Sequence, residues 1–184
     1  EVERRHASRI SMLDEQIQRL LDRLEEAGEL DNTFVLFTSD NGPHRENNHD
    51  QTFFNSSKDL KGYKRDLYEG GIRVPCIAYW KGRTRAGEVS DFNAAFYDVM
   101  PTLAEVAGIA TPEQSDGVSF LPELLGKQVA EPHQHLYWEI QLPSGRKGFR
   151  QAARMGRWKA VRYGKGNATQ LYDLEADPHE KKNV

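Results

Sequence analysis

Apolar side chains recur at steps of three and four residues through the first part of the chain, which predicts an amphipathic helix over residues 1–26. This stripe consists of Ile10, Leu13, Ile17, Leu20, Leu21 and Leu24. Gly28 follows, a typical residue just past the end of a helix. The pattern then changes to an apolar, β-branched and aromatic run from Thr33 to Thr38, which predicts a buried strand. A helix followed closely by a strand is typical of a mostly parallel sheet covered by helices, so the predicted class is α/β.

A second apolar run, from Ile72 to Trp80, predicts another strand. Pro75 cannot donate a hydrogen bond to a sheet, so we expect a bulge or a strand edge there. Cys76 lies in the same run, and we expect an inert buried thiol. Further along, the residues from Phe96 to Ala107 have a helical pattern in which Pro101 fits the first turn.

The last third of the chain has a different pattern, with short strands at close spacing. The predicted strands are Leu136 to Ile140, Phe149 to Met155, Trp158 to Tyr163 and Gln170 to Leu174. Gly156 stands between two of them as a hairpin turn. We therefore predict two domains: residues 1–126 belong to the α/β part, and residues 127–184 form a small antiparallel subdomain.

Composition narrows the classes of function. The 184 residues are 38% hydrophobic and carry a formal net charge of −3, which argues against a nucleic-acid binder driven by bulk electrostatics. No apolar run approaches the length needed to span a membrane. Locally, the stretch from Lys58 to Arg73 has five basic residues against three acidic ones, a balance that suits an anionic ligand or, equally, a solvated charged loop.

The candidate chemistry lies in the polar stretch of roughly thirty residues between the two predicted strands, far longer than an ordinary loop. Asp40 and Asn41 follow the first strand directly, and ligand sites in α/β sheets lie at the carboxyl ends of strands. Their side chains offer hard oxygens suited to Ca²⁺ or Mg²⁺, although Asp-Asn-Gly-Pro is also a typical turn. His44 could donate a proton or a hydrogen bond to a substrate oxygen, or be an ordinary loop histidine.

Two blocks in this stretch, FTSDNGPH and FFNSSKDLKGYKRDLYEGGIRVP, resemble the C-terminal half of a type I sulfatase of the alkaline-phosphatase superfamily. DGVSFLP, RMGRWKAVR and LYDLEADPHEKKNV extend the resemblance over nearly the whole chain. It implies the C-terminal half of an alkaline-phosphatase-like sandwich followed by a small antiparallel sheet. It also implies that Asp40 and Asn41 are Ca²⁺ ligands, with Mg²⁺ as the alternative metal, and that Lys64 binds the sulfate of a sulfate-ester substrate. Lys64 and His44 are the predicted catalytic and substrate-binding residues.

The resemblance further implies a formylglycine nucleophile, made from the first residue of a C/S-x-P-S/A-R motif. Cys76, the only cysteine, is not followed by that motif, and the family's N-terminal pair of metal-binding aspartates is absent. We therefore expect a fragment of a calcium-dependent sulfuric-ester hydrolase that carries half of an active site and needs the other half as its partner. By resemblance, the parent protein is periplasmic or secreted and acts on a sulfate ester, with sulfated carbohydrate a candidate.

Two alternatives remain open. One is a phosphonate- or phosphate-ester hydrolase of the same superfamily; its di-zinc members have a histidine after the aspartate, whereas Asn41 favours a single hard cation. The other is a truncated, non-catalytic module whose basic loop binds sulfated glycan.

Overall fold

The computed structural model describes residues 1–143 and 145–184. Its contacts divide the chain into two compact units, each built from separate segments. The first unit contains residues 1–12, 38–75 and 134–184, and the second contains residues 13–37 and 76–133. The predicted domain boundary after residue 126 stays a prediction.

The helices and strands appear in the following order along the chain. They are α1 Val2–Glu26, β1 Val35–Thr38, α2 Glu69–Ile72, β2 Cys76–Tyr79, α3 Val99–Val106, α4 Leu121–Leu124, β3 Leu136–Gln141, β4 Phe149–Met155, β5 Trp158–Tyr163 and β6 Gln170–Asp173. Short 3-10 turns occur at Leu30–Asn32, Glu46–Asn48, Phe96–Asp98 and Gly145–Gly148. Among the described residues, no helix is both long and apolar enough to cross a membrane.

The predicted first helix is confirmed as α1. Gly28 ends it in the left-handed conformation, with φ of +71°, and the Glu29 amide donates to the Leu24 carbonyl at 2.9 Å. None of its residues is buried, so its apolar stripe has no core beneath it in the described chain.

In the second unit, β1 and β2 form a two-stranded sheet. The buried carboxylate of Asp98 accepts hydrogen bonds from the amides of Ala95 and Val118, at 2.7 and 2.9 Å. Its Oδ1 also lies 2.6 Å from His133 Nε2. Pro101 lies in the first turn of α3, as predicted.

The predictions around the second strand need correction. The strand begins only at Cys76, because Pro75 has no amide hydrogen to give to a ladder and residues 69–72 turn into the short helix α2. Cys76 is exposed rather than buried, since β2 is a four-residue strand paired only with β1. Partial burial still raises the pKa of its thiol, which disfavours the reactive thiolate.

In the first unit, the predicted antiparallel sheet is confirmed, in the order β3-β4-β5-β6. Met155 pairs with Trp158 across a two-residue hairpin in which Gly156 has φ of +55°. Four buried residues form the core on this sheet: Leu67, Ala152, Val161 and Tyr172. Leu67 belongs to the long polar stretch, so this core fixes part of the predicted loop against the sheet.

Candidate functional site

The segment from Ser39 to His44 leaves the end of β1 and carries the predicted metal ligands. The Asn41 side-chain amide donates to the Gly42 carbonyl at 2.9 Å, which leaves Oδ1 as its available acceptor. Asp40 is exposed, and its carboxylate makes no hydrogen bond or ion pair with the described residues. Two neighbouring side chains, a carboxylate and an amide, therefore have uncommitted hard oxygens at this point of the described chain.

Two backbone hydrogen bonds tie this segment to the turn that carries Lys64. The Gly42 amide donates to the Gly71 carbonyl at 2.9 Å, and the Lys64 amide donates to the Pro43 carbonyl at 2.8 Å. A Cβ on Gly42 would lie only 1.9 Å from the Gly70 carbonyl oxygen, so this approach requires glycine. The structure thus brings the neighbourhood of Asn41 and His44 together with Lys64.

Lys64 and Lys61 have different surroundings although they lie three residues apart. The Lys64 side chain is 32% exposed, and its Nζ lies 3.9 Å from Glu46 Oε2, too far for a hydrogen bond. Lys61 Nζ donates instead to Tyr172 Oη at 3.0 Å and to the Glu180 carbonyl at 3.2 Å. It also lies 4.0 Å from the centroid of the Tyr68 ring. Lys64 can therefore meet an anion, whereas Lys61 holds the loop.

Glu46 balances the charge beside Lys64. Its carboxylate lies 2.6 Å from Arg65 NH2, and the pKa of this carboxyl is lowered, first by the Arg65 hydrogen bond and then by the charge of Lys64. Glu46 therefore remains ionised and offsets part of the local positive charge. Sequence reasoning missed it, because no motif singles it out.

The hydrogen bonds around His44 define where its proton lies. Its Nδ1 accepts a hydrogen bond from the Glu46 amide at 3.1 Å, and a backbone amide can only donate. Neutral His44 must therefore carry its proton on Nε2, which makes it a donor there. This geometry fits the predicted role of donating to a substrate oxygen.

His44 is also part of a group of three imidazoles. The His49 ring lies 5.1 Å from that of His44 and 4.5 Å from that of His6, measured between centroids. His49 is buried, and its Nδ1 lies 2.8 Å from Glu3 Oε2. Burial, followed by the charge of His49, lowers the pKa of His6. Nothing in the sequence spacing of His49 indicates that it would be buried.

The donors of this segment fit part of a Ca²⁺ shell. Carboxylate and amide oxygens are the ligands that Ca²⁺ prefers, and those of Asp40 and Asn41 are uncommitted. Within residues 1–143 and 145–184, however, no group of three or more His, Cys, Asp or Glu side chains could hold a metal ion. Ca²⁺ takes six to eight oxygens, so the side chains of Asp40 and Asn41 alone are too few to complete its shell.

Comparisons with known proteins agree with this fold and these motifs. The family model Sulfatase matches residues 3–109, and the model N-sulphoglucosamine sulphohydrolase, C-terminal, matches residues 62–184. Human arylsulfatase A is 31% identical over 198 residues, an alignment that covers 94% of this chain and 37% of that protein.

Solved structures give the same picture. BT4656, in complex with its substrate D-glucosamine-2-N,6-O-disulfate, matches with a TM-score of 0.77 and 28% identity, over 95% of this chain and 34% of that one. The phosphonate monoester hydrolase SpPMH from Silicibacter pomeroyi matches with a TM-score of 0.72 and 24% identity, over 93% and 34% of the two chains. At that identity, the second match establishes the fold alone.

These matches define the class of protein. It has the alkaline-phosphatase-like fold, and its parent family consists of enzymes that hydrolyse sulfuric esters. The chain belongs to the sulfatase family, in the C-terminal portion of that fold, as the motifs predicted. The chain spans between 22% and 37% of the length of the curated sulfatases that it matches.

Proposed function

We propose that this chain forms part of a calcium-dependent sulfuric-ester hydrolase, in which Lys64 and His44 bind the sulfate ester and Asp40 and Asn41 bind Ca²⁺. The hydrogen bond from the Lys64 amide to the Pro43 carbonyl carries the proposal, because it joins the backbone of the lysine to the segment with the uncommitted oxygens. Family membership supports the same reaction.

Each residue has a distinct role in this reaction. The Lys64 ammonium attracts the sulfate group and stabilises the charge on its oxygens during transfer. His44 donates from Nε2 to a sulfate oxygen or to the departing alkoxide. Asp40 and Asn41 supply two of the metal ligands. When bound to Asp40 and Asn41, Ca²⁺ would supply charge neutralisation, and the formylglycine that the family resemblance implies outside these 184 residues would supply the nucleophile.

The substrate class we propose is a sulfated carbohydrate, and we propose that the complete protein is periplasmic or secreted. The substrate proposal is supported by the similarity to BT4656, whose structure holds a glucosamine disulfate. The location rests on family resemblance.

The test compares two matched loop variants of the complete protein, Lys64→Gln and Lys58→Gln, on a generic aryl sulfate in the presence of Ca²⁺. Lys58 is exposed on the same loop, and both changes remove one charge while keeping a long side chain. We expect Lys64→Gln to lower kcat/KM by on the order of 100-fold or more, because a lost contact to the reacting group costs about that much. Lys58→Gln should remain within about twofold. Equal losses in both variants would contradict the role of Lys64.

A phosphonate-ester hydrolase is the second candidate, because SpPMH shows that this fold also occurs in such an enzyme. Comparing kcat/KM for an aryl sulfate and an aryl phosphonate monoester decides between the two. Turnover of neither ester, together with Lys64-dependent binding of sulfated glycan, would support the non-catalytic module instead.

A further inference from the structure

A group of buried charges lies on the antiparallel sheet behind the Lys64 turn. The Lys159 side chain on β5 is 0% exposed, and its Nζ lies 2.8 Å from Glu69 Oε1 and 3.2 Å from Glu180 Oε1. Glu69 and Glu180 are themselves buried. Burying an ion group of this kind often gains no stability over an apolar replacement, so it calls for a role beyond stability.

The two carboxylates fix the start of α2. Glu180 Oε2 accepts a hydrogen bond from the Glu69 amide at 2.7 Å, while Lys159 holds the Glu69 side chain. Glu180 has a φ of +51°, a conformation rare for a residue with a side chain, so its backbone is held in place to make this contact. Glu69 is therefore restrained at both its amide and its carboxylate.

The position of Glu69 determines the path of the Lys64 turn, because Gly70 and Gly71 follow it directly. A Cβ on Gly70 would lie 2.5 to 2.7 Å from the carbonyl oxygens of three residues that precede Lys64: Leu60, Lys61 and Gly62. A Cβ on Gly71 would lie 2.2 Å from the Asp66 carbonyl oxygen and 2.6 Å from that of Tyr63. The turn thus wraps around the two glycines at backbone contact distance, and Lys64 lies in its middle.

Both ends of this turn are also attached to the sheet. Lys61 Nζ contacts Tyr172 Oη on β6, as described above. At the other end, Asp66 Oδ1 accepts hydrogen bonds from Tyr163 Oη at 3.0 Å and from Arg150 NH1 at 2.6 Å. The Lys64 side chain makes no such contact with the sheet among the described residues. The turn on either side of Lys64 is therefore fixed, while its ammonium remains available to a ligand.

We propose that Lys159 and Glu180 are positioning residues for Lys64, which makes the C-terminal antiparallel sheet a working part of the sulfate site. This inference rests on the function proposed above for Lys64. The buried charges fix Glu69, Glu69 places the two glycines, and the glycines set the turn that presents the ammonium. A shift of about 1 Å at a reacting group can cost on the order of 100-fold in rate, so such a frame matters for catalysis.

The experiment uses the complete protein with the variants Lys159→Met, Glu180→Gln and, as a surface control, Lys127→Met. Hydrogen exchange followed by mass spectrometry reports on the amides of Lys64, Glu69 and Gly70, which donate to Pro43, Glu180 and Lys61. We expect these amides to exchange at least tenfold faster in Lys159→Met and Glu180→Gln, while the amides shared by β4 and β5 keep their protection. Lys127→Met should change neither set.

Kinetics on the aryl sulfate provide the second measurement. We expect kcat/KM per folded molecule to fall roughly 10- to 100-fold in both variants, since the cation is displaced. If Lys159 and Glu180 had a purely structural role, their substitution would lower the melting temperature and leave kcat/KM per folded molecule unchanged. Glu180→Gln keeps the shape of the side chain, so it carries the test if Lys159→Met does not fold.

The outcomes separate the two proposals. Unchanged exchange at Lys64, Glu69 and Gly70 overturns the positioning role, whatever the activity. Faster exchange with unchanged kcat/KM also overturns it, because the frame then does not serve the reaction. If Lys64→Gln has full activity, the proposed function of Lys64 fails on its own account, and the exchange result still shows whether Lys159 and Glu180 fix the turn.

Discussion

Gly42 offers a sharp test of the contact that assembles the candidate site. An alanine Cβ there would lie 1.9 Å from the Gly70 carbonyl oxygen, whereas ordinary contact begins near 3.4 Å. The two segments would therefore have to move apart by about 1.5 Å. The new Cβ would meet a backbone carbonyl oxygen, so no flexible side chain could move aside to relieve the clash. The hydrogen bond from Gly42 to Gly71, 2.9 Å long, would break with that movement.

We expect Gly42→Ala to lower kcat/KM on an aryl sulfate by on the order of 100-fold, because a misplacement of about 1 Å has that effect on a reaction that depends on position. The assay uses the complete protein, with kcat/KM normalised to the folded fraction measured by circular dichroism.

Gly82→Ala is the matched control. Gly82 has φ of +72° and no atom within 4 Å of an added Cβ, so alanine there costs about 1 to 2 kcal/mol of backbone strain without any clash. It should therefore lose stability and keep its kcat/KM. Retention of kcat/KM within twofold in Gly42→Ala, or an equal loss in Gly82→Ala, would refute the reasoning.

Two further predictions concern the metal and the pH. The 184-residue chain alone should bind Ca²⁺ only weakly and hydrolyse no aryl sulfate, because the two proposed ligands, Asp40 and Asn41, would leave most of the six to eight oxygens that Ca²⁺ takes unsupplied. Submicromolar affinity by titration calorimetry, or turnover of an aryl sulfate by the chain alone, would contradict this. The pKa of His6 is lowered in the folded protein, chiefly by burial, so its contribution to stability is present above the ordinary value of 6.5 and is lost as pH falls below it. Glu3 opposes this shift, and the other groups that contribute to it are His49, His44 and Arg9. Urea denaturation should show that the free energy of unfolding falls as the pH is lowered from about 7.5 to about 5.5, and that it falls less steeply in His6→Gln. Equal pH dependence in the two proteins would contradict the lowered pKa of His6.

Local periodicity was enough to predict the first helix and the four strands of the antiparallel sheet. The steps of three and four residues predicted α1, and the short strand-like runs at close spacing predicted β3 to β6 nearly to the residue. Both patterns arise from hydrogen bonds and faces within one element or one hairpin, so a short window of sequence contains them. The prediction of a strand beginning at Ile72 was wrong, because an apolar run does not show where close backbone contacts force the chain to turn.

The candidate site was also predicted only in part from the sequence. The motif placed Asp40, Asn41 and Lys64 in one family pattern, and family membership is confirmed, while the roles of these residues stay predictions.

The motif assigned the sulfate to Lys64, but only the tertiary structure showed that Lys61 is bonded to Tyr172, because nothing in the loop's composition indicates that contact. The same holds for the hydrogen bond between Glu69 and Glu180, which are 111 residues apart. The sequence by itself determined most of the helices and strands and the chemistry available. Only the folded chain decided which charged side chains are buried as fixed pairs and which remain available to a ligand. The reason is that a charge loses its water through contacts between distant segments, and no local pattern in the sequence encodes those contacts.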